Sequence, residues 1–327
     1  MTKPVVLVTR SFFPELLQQL AETCSLVVWT EENPPPYDWI KGHLPQADAL
    51  ICMLTDKIDP ELITLGSANH LKVISQIAVG VDNIAVGSAT DHKIPVGHTP
   101  GVLTETTADF AWALMMAAAR RVVESAVEVS HNIWRPWGPE VLCGADVYGK
   151  TLGLIGFGRI GKAMARRAEG FEMKVLYYEP RYKPENASIS NAQYVSLDDL
   201  LCESDFVSLH AYLSDSSRGM IGKAQLAMMK PSSILINTGR GAMVDHIALY
   251  DALKNRTIAA AALDVFDPEP IPENHPLLSL HNVIITPHIA SASTATRHQM
   301  AVMTIENILA ALNGKPLPYC ANPEIYK

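Results

Sequence analysis

Long apolar runs are missing from this sequence. The longest, Phe110–Ala119, is ten residues, well short of the roughly 18 that a membrane-spanning helix needs. Basic runs are missing too, and the net charge is −8. An acidic chain without a cationic stripe argues against a nucleic-acid or membrane-surface binder. Cysteine is sparse. Cys24, Cys52, Cys143, Cys202 and Cys320 form an odd set of five with no C-x-x-C spacing. That excludes a simple disulfide framework or zinc knuckle and points to a reducing, cytoplasmic setting. The opening Met1–Arg10 holds too short an apolar run for a signal peptide. With 48% apolar and 18% charged residues, disordered and fibrous classes drop out as well.

What is present is a repeating alternation of short apolar runs and helical segments. The 327 residues suggest two domains at roughly 150 residues each. Val5–Val8, Leu26–Trp29, Ala49–Met53 and Lys72–Ala78 read as buried strands, and Phe13–Ala21 as an amphipathic helix. A second series follows with strands over Thr151–Ile155, Lys174–Tyr178, Phe206–His210, Ser233–Asn237, Ile258–Val265 and Asn282–Thr286. Buried strands alternating with helices predict an α/β chain of two doubly wound parallel-sheet domains. Two long helices flank the second series. One runs from Glu105 through Arg121 towards His131, and the other from Thr294 to Leu312 before Asn313-Gly314. Read as connections, they make the first domain discontinuous, with residues 1–102 plus 294–327 in one domain and 103–293 in the other.

Gly156-Phe157-Gly158-Arg159-Ile160-Gly161 follows one predicted strand directly and opens a helix. That context turns a weak G-x-G-x-x-G match into a dinucleotide fingerprint. Gly156 permits the turn, Gly158 lets the backbone approach a pyrophosphate, and Gly161 lets helix and strand pack closely. Glu179 closes the next strand, where an acid binds the adenosine ribose and disfavours a 2′-phosphate. Arg181 and Lys183 follow; they either pair with a 2′-phosphate or belong to a solvated loop. The reading is NAD, with NADP as the alternative.

Three later strand ends carry chemistry: Asn237-Thr238-Gly239-Arg240-Gly241, Asp264 through Pro270, and Thr286-Pro287-His288. Ligands of open α/β sheets bind beyond the carboxyl ends of the strands. Arg240 offers a planar fork suited to a carboxylate and its neighbouring carbonyl. His288 holds a proton near neutral pH. Glu269, between two prolines, suits fixing the tautomer of an imidazole. Singly each has a plain structural reading: a surface bridge, a loop acid, a turn cap. Together, after a dinucleotide fingerprint, they suit reduction of a 2-oxo acid.

This ordered set resembles the D-isomer-specific 2-hydroxyacid dehydrogenases across nearly the whole chain. The resemblance implies a flavodoxin-like substrate domain, a Rossmann domain for NAD(P), and Arg240, Glu269 and His288 as the catalytic trio. It further implies that the Val79 and Gly80 amides hold the substrate carboxylate. Thr104 and Asp264 would lie near the cofactor, with Thr238 and the Gly156–Gly161 loop among its contacts. Trp134–Pro139 and Glu269–Leu278 look like the glyoxylate/hydroxypyruvate reductase branch. In that branch a tryptophan matching Trp137 reaches the partner subunit's substrate pocket, which implies a homodimer. One departure is Tyr212, where the family commonly has proline; it puts a local cofactor contact in doubt. Other readings on the same scaffold are dehydrogenases of pyruvate- or phenylpyruvate-type acids and NAD(H)-responsive binding proteins. Phosphite dehydrogenase shares the scaffold but uses a lysine where Val79 stands.

Overall fold

The computed structural model describes residues 3–180 and 192–327. The chain divides into two compact units, Met1–Leu103 with Ser293–Lys327, and Thr104–Ala292.

In the first unit β1 (Val5–Val8), β2 (Ser25–Val28), β3 (Ala49–Cys52), β4 (Val73–Gln76) and β5 (Val96–Gly97) alternate with α1 (Pro14–Thr23), α2 (Tyr37–His43), α3 (Pro60–Ser67) and α4 (Val86–Asp91). Every ladder is parallel, in the order β2-β1-β3-β4-β5, which is flavodoxin-like winding. β3 and β4 bury all their residues, as a sheet covered on both faces demands. Ser75 and Gln76 are polar yet wholly buried, so both need internal partners. The helix α11 (Thr294–Leu312) packs on β4 and β3, and its Asn307 side chain reaches Ser75 Oγ at 3.3 Å. Asp59 caps α3 by accepting from Leu62 N–H at 3.1 Å, with Pro60 in the first turn.

The second unit holds β6 (Thr151–Ile155), β7 (Lys174–Tyr178), β8 (Ala192–Tyr194), β9 (Phe206–Leu209), β10 (Ile234–Asn237), β11 (Ala260–Leu263) and β12 (Val283–Ile285). Its helices are α5 (Thr104–Ala119), α6 (Val122–Ser130), α7 (Arg159–Glu169), α8 (Leu197–Glu203), α9 (Lys223–Met228) and α10 (His246–Lys254). The parallel order β12-β11-β10-β9-β6-β7-β8 is a Rossmann sheet extended by one strand at the β12 edge. It reverses between β6 and β9, the switch point where such sheets bind dinucleotides. One apolar layer sets Ala163, Met164 and Ala168 of α7 and Leu114 and Met115 of α5 on the sheet. The other sets Leu200, Leu226 and Leu249 from α8, α9 and α10 against the opposite face.

The sequence-based pattern differs from this in three ways, and the expected strand over Ile258–Val265 likewise shortens, to Ala260–Leu263. The helix expected to continue towards His131 breaks at Arg121, whose φ is +52°. There Ala145 N–H donates to Ala119 O at 2.8 Å, so a returning segment takes a carbonyl at the end of α5 and the helix stops. The run Lys72–Ala78 keeps only Val73–Gln76 in the ladder, because apolar pattern marks burial rather than pairing; Ile77 and Ala78 are buried beyond the strand. β5 and β8, of two and three residues, are too short to show periodicity and were not foreseen.

Candidate active site

The fingerprint loop is built by steric necessity. Gly156 has φ +92°, and a Cβ there would fall 2.5 Å from Ala211 N and 2.6 Å from the His210 carbonyl carbon. A Cβ at Gly161 would meet Gly156 O at 2.3 Å. At Gly158, by contrast, a Cβ meets nothing within 4 Å. Gly158 caps α7 without a side-chain bond, and no acidic residue stands in the first turn. Arg159 and Ile160, exposed and half-buried, begin that helix. Open backbone before uncapped N–H groups and a positive dipole end fits a pyrophosphate. Glu179 is half-buried just past β7. Thr238, 8% exposed, has a buried hydroxyl without a hydrogen-bond partner among the described residues, as a group awaiting a ligand would. These residues fit a nicotinamide dinucleotide. Arg181 and Lys183 lie outside the described residues. Thr104 is the first residue of α5 and is half-buried.

The loops after β10, β11 and β12 stand on three neighbouring strands. Asn237, at the end of β10, donates to Arg240 O at 2.9 Å and accepts from Gly239 N–H at 3.0 Å. One buried amide thus shapes the turn that presents Arg240. After β11, Glu269 Oε1 accepts from Phe266 N–H at 2.8 Å, and Oε2 lies 2.8 Å from His288 Nδ1. The two side chains are 25% and 26% exposed. Burial raises the Glu269 pKa, but the His288 bond and charge, the Phe266 amide and the Arg240 charge together bring it below the usual value. An ionised Glu269 accepts a hydrogen bond from the Nδ1–H and leaves Nε2 for other partners.

Asp264 does more than its resemblance-based placement beside the cofactor suggests. It is fully buried, and Oδ1 accepts from Thr286 Oγ1 at 2.6 Å and Ile289 N–H at 2.9 Å. Oδ2 accepts from Ala290 N–H at 2.7 Å, and Asp264 O accepts from His288 N–H at 2.9 Å. This frame holds His288 at φ +54°. Such a conformation costs a non-glycine residue about 1–3 kcal/mol and persists only where surroundings over-determine it.

A scan of family models matches residues 112–290 to the D-isomer specific 2-hydroxyacid dehydrogenase, NAD binding domain. The chain belongs to this family. The dehydrogenase is 49% identical over 326 residues to the glyoxylate reductase of Korarchaeum cryptofilum, covering 99% of this chain and 98% of that one. Among solved structures it superposes on the TT0316 protein of Thermus thermophilus with a TM-score of 0.90 and 42% identity, covering 97% and 99% of the two chains. It also matches a Sinorhizobium meliloti NADPH-dependent glyoxylate/hydroxypyruvate reductase in complex with NADP and malonate, with a TM-score of 0.85, 29% identity and 98% of each chain. The dehydrogenase is thus an NAD(P)-dependent oxidoreductase. None of its helices among the described residues is long and apolar enough to cross a membrane.

Sequence reasoning missed His210 in the dehydrogenase. It follows β9 beside Gly156, its Nε2 is 2.9 Å from Ser208 Oγ, and its Nδ1 is buried without a partner among the described residues. Burial pushes its pKa down to about 4, so the ring is neutral at pH 7. The only sequence sign was a polar residue ending an apolar strand. Tyr212, the departure noted above, is 81% exposed. Trp137 lies at 92% exposure on the arm after α6, and Val79 and Gly80 are half-buried in the loop after β4.

Proposed function

We infer that this dehydrogenase reduces glyoxylate to glycolate and hydroxypyruvate to the D-2-hydroxy acid. The 2.8 Å contact of His288 with Glu269, on the loops beside Arg240, carries the reading, and the full-length likeness to a glyoxylate reductase supports the substrate class. The Gly156–Gly161 loop, Glu179, Thr238, Thr104 and Asp264 are the residues assigned to the cofactor, which when bound supplies the hydride. The Val79 and Gly80 amides hold the substrate carboxylate. Arg240 polarises the carbonyl and stabilises the alkoxide with its fixed donors. His288, oriented by Glu269, gives that oxygen its proton. Glu179 favours NADH over NADPH, because its charge repels a 2′-phosphate.

The working form is a homodimer. α6 buries none of its residues, and Val122, Val127, Ile133, Trp134 and Trp137 are all at least half exposed. α6 also borders an apolar groove of about 1020 Å³ reaching Ala260 and Ile284. One stretch thus offers both a projecting apolar face and a recess, the self-complementarity a two-fold interface requires. On this reading Trp137 belongs to the partner's substrate pocket. The five free thiols accord with a cytoplasmic setting.

Absorbance at 340 nm tests the activity with glyoxylate, hydroxypyruvate, pyruvate and phenylpyruvate, each with NADH and NADPH. The expected result is fastest oxidation with glyoxylate or hydroxypyruvate and NADH. Silence in every mixture, with NADH fluorescence still quenched on binding, would move the reading to an NAD(H)-responsive binding protein. Sedimentation at micromolar concentration should show a two-chain species; a single-chain species removes the dimer.

A further inference from the structure

The segment Ala78–Val81 follows β4 in the first unit, and its hydrogen bonding is one-sided. Four successive carbonyls accept bonds. Ala78 O accepts from Thr99 N–H at 2.9 Å, Val79 O from His98 Nδ1 at 3.0 Å, Gly80 O from Gln76 Nε2, and Val81 O from Ile84 N–H at 3.0 Å. The N–H groups of Val79, Gly80 and Val81 have no hydrogen-bond partner among the described residues. A trans peptide carries its C=O and N–H on opposite edges of one plane. Pinning each carbonyl therefore turns the next N–H the other way. Three consecutive N–H groups are thus left without protein acceptors among the described residues, and successive backbone N–H groups are the donors with which a loop holds an anion.

Two of the four anchors are side chains. Gln76 is wholly buried and is itself held, since its Oε1 accepts from Asn83 Nδ2 at 2.7 Å. Asn83 also donates to Met53 O at 3.0 Å and Asp56 O at 2.7 Å, tying Gln76 to the loop after β3. His98 is set by its own backbone: its N–H donates to Tyr319 O at 3.1 Å, and its carbonyl accepts from Asn307 Nδ2 at 3.4 Å. To reach Val79 O, its Nδ1 must carry the proton.

We propose that Gln76 and His98 are positioning residues for the substrate carboxylate. His98 fixes the Val79–Gly80 peptide and aims the Gly80 N–H; Gln76 fixes the Gly80–Val81 peptide and aims the Val81 N–H. They set carboxylate affinity without touching the substrate. The proposal rests on the assignment of this loop to carboxylate binding, and adds the Val81 amide to it.

The test is steady-state kinetics of Gln76→Met and His98→Leu, with His98→Asn as the rescue because its amide nitrogen replaces the Nδ1 donor. Losing one aiming bond should raise KM for glyoxylate about tenfold in Gln76→Met and His98→Leu, the scale of one hydrogen bond. The kcat should stay within about threefold and KM for NADH should not move, since uniform substrate binding is what is lost. His98→Asn should return KM to within about threefold of the parent. Two independent positions keep the test open if one variant does not fold, which a melting curve shows. A glyoxylate KM within twofold of the parent in a folded variant overturns the proposal. So does a fall in kcat with KM unchanged, or a raised KM that His98→Asn leaves uncorrected. A parent enzyme that does not oxidise NADH with glyoxylate overturns the functional reading instead.

Discussion

Replacing His288 by alanine should lower kcat by about 10²–10⁴-fold, the range for losing a general acid, while NADH binding stays nearly intact. The two effects separate because the groups stand on different strands. His288 follows β12, whereas the Gly156 loop follows β6, which is four places along the sheet. Alanine removes the imidazole that Glu269 Oε2 holds, and water cannot be held at one orientation by the same carboxylate. Because His288 sits at φ +54°, alanine also adds backbone strain. His288→Asn is the cleaner companion, since asparagine tolerates the left-handed region and keeps an amide donor towards Glu269. Both variants should be equally inactive. Measured kcat within tenfold of the parent in either would remove His288 from proton transfer. NADH affinity is read in parallel by fluorescence titration.

Gly241→Ala should be the most damaging small substitution in the second unit. The added Cβ would lie 2.0 Å from the Phe266 carbonyl carbon and 2.3 Å from its Cα. The three nearest atoms are all Phe266 backbone, so no flexible side chain is there to yield. Overpacking of this kind costs about 3 kcal/mol or more. At about 2–4 °C per kcal/mol for a unit of this size, the melting point should fall by roughly 6–12 °C. Activity should fall with it, because Phe266 N–H holds Glu269 Oε1 and cannot move alone. Gly158→Ala is the control: its Cβ meets open space, so its melting curve should match the parent. An unchanged melting point for Gly241→Ala would refute the packing argument.

Much of this architecture was legible in the residues. The parallel sheets followed from apolar runs too short for helices and separated by helical stretches. Asn313-Gly314 marked the end of α11 correctly, because Gly314 takes φ +69°. Two of the fingerprint glycines were legible because glycine is required at 156 and 161, where a Cβ would collide. The turn at Arg121 was not, since what ends α5 is a bond from Ala145, distant in sequence. Asn237 and Asp264 stood in the quoted motifs, but their framing work depends on which backbone amides the fold brings within reach. Gln76 and His98 were hidden for the same reason. A sequence shows that a buried polar residue must find partners; only coordinates show which.

The discontinuity of the first unit has a consequence for synthesis. The ribosome makes residues 104–292 before the helix α11 exists. Until then the first sheet lacks the cover of Met300, Thr304 and Ile308, all buried in the finished unit. It also lacks Asn322, which accepts from Val96 N–H at 2.8 Å and donates to Ile94 O at 3.1 Å. The second unit can close on its own chain as it emerges, since domains generally fold as units. The first to begin is therefore the last to finish, and a nascent chain exposes its half-covered sheet throughout the making of its neighbour.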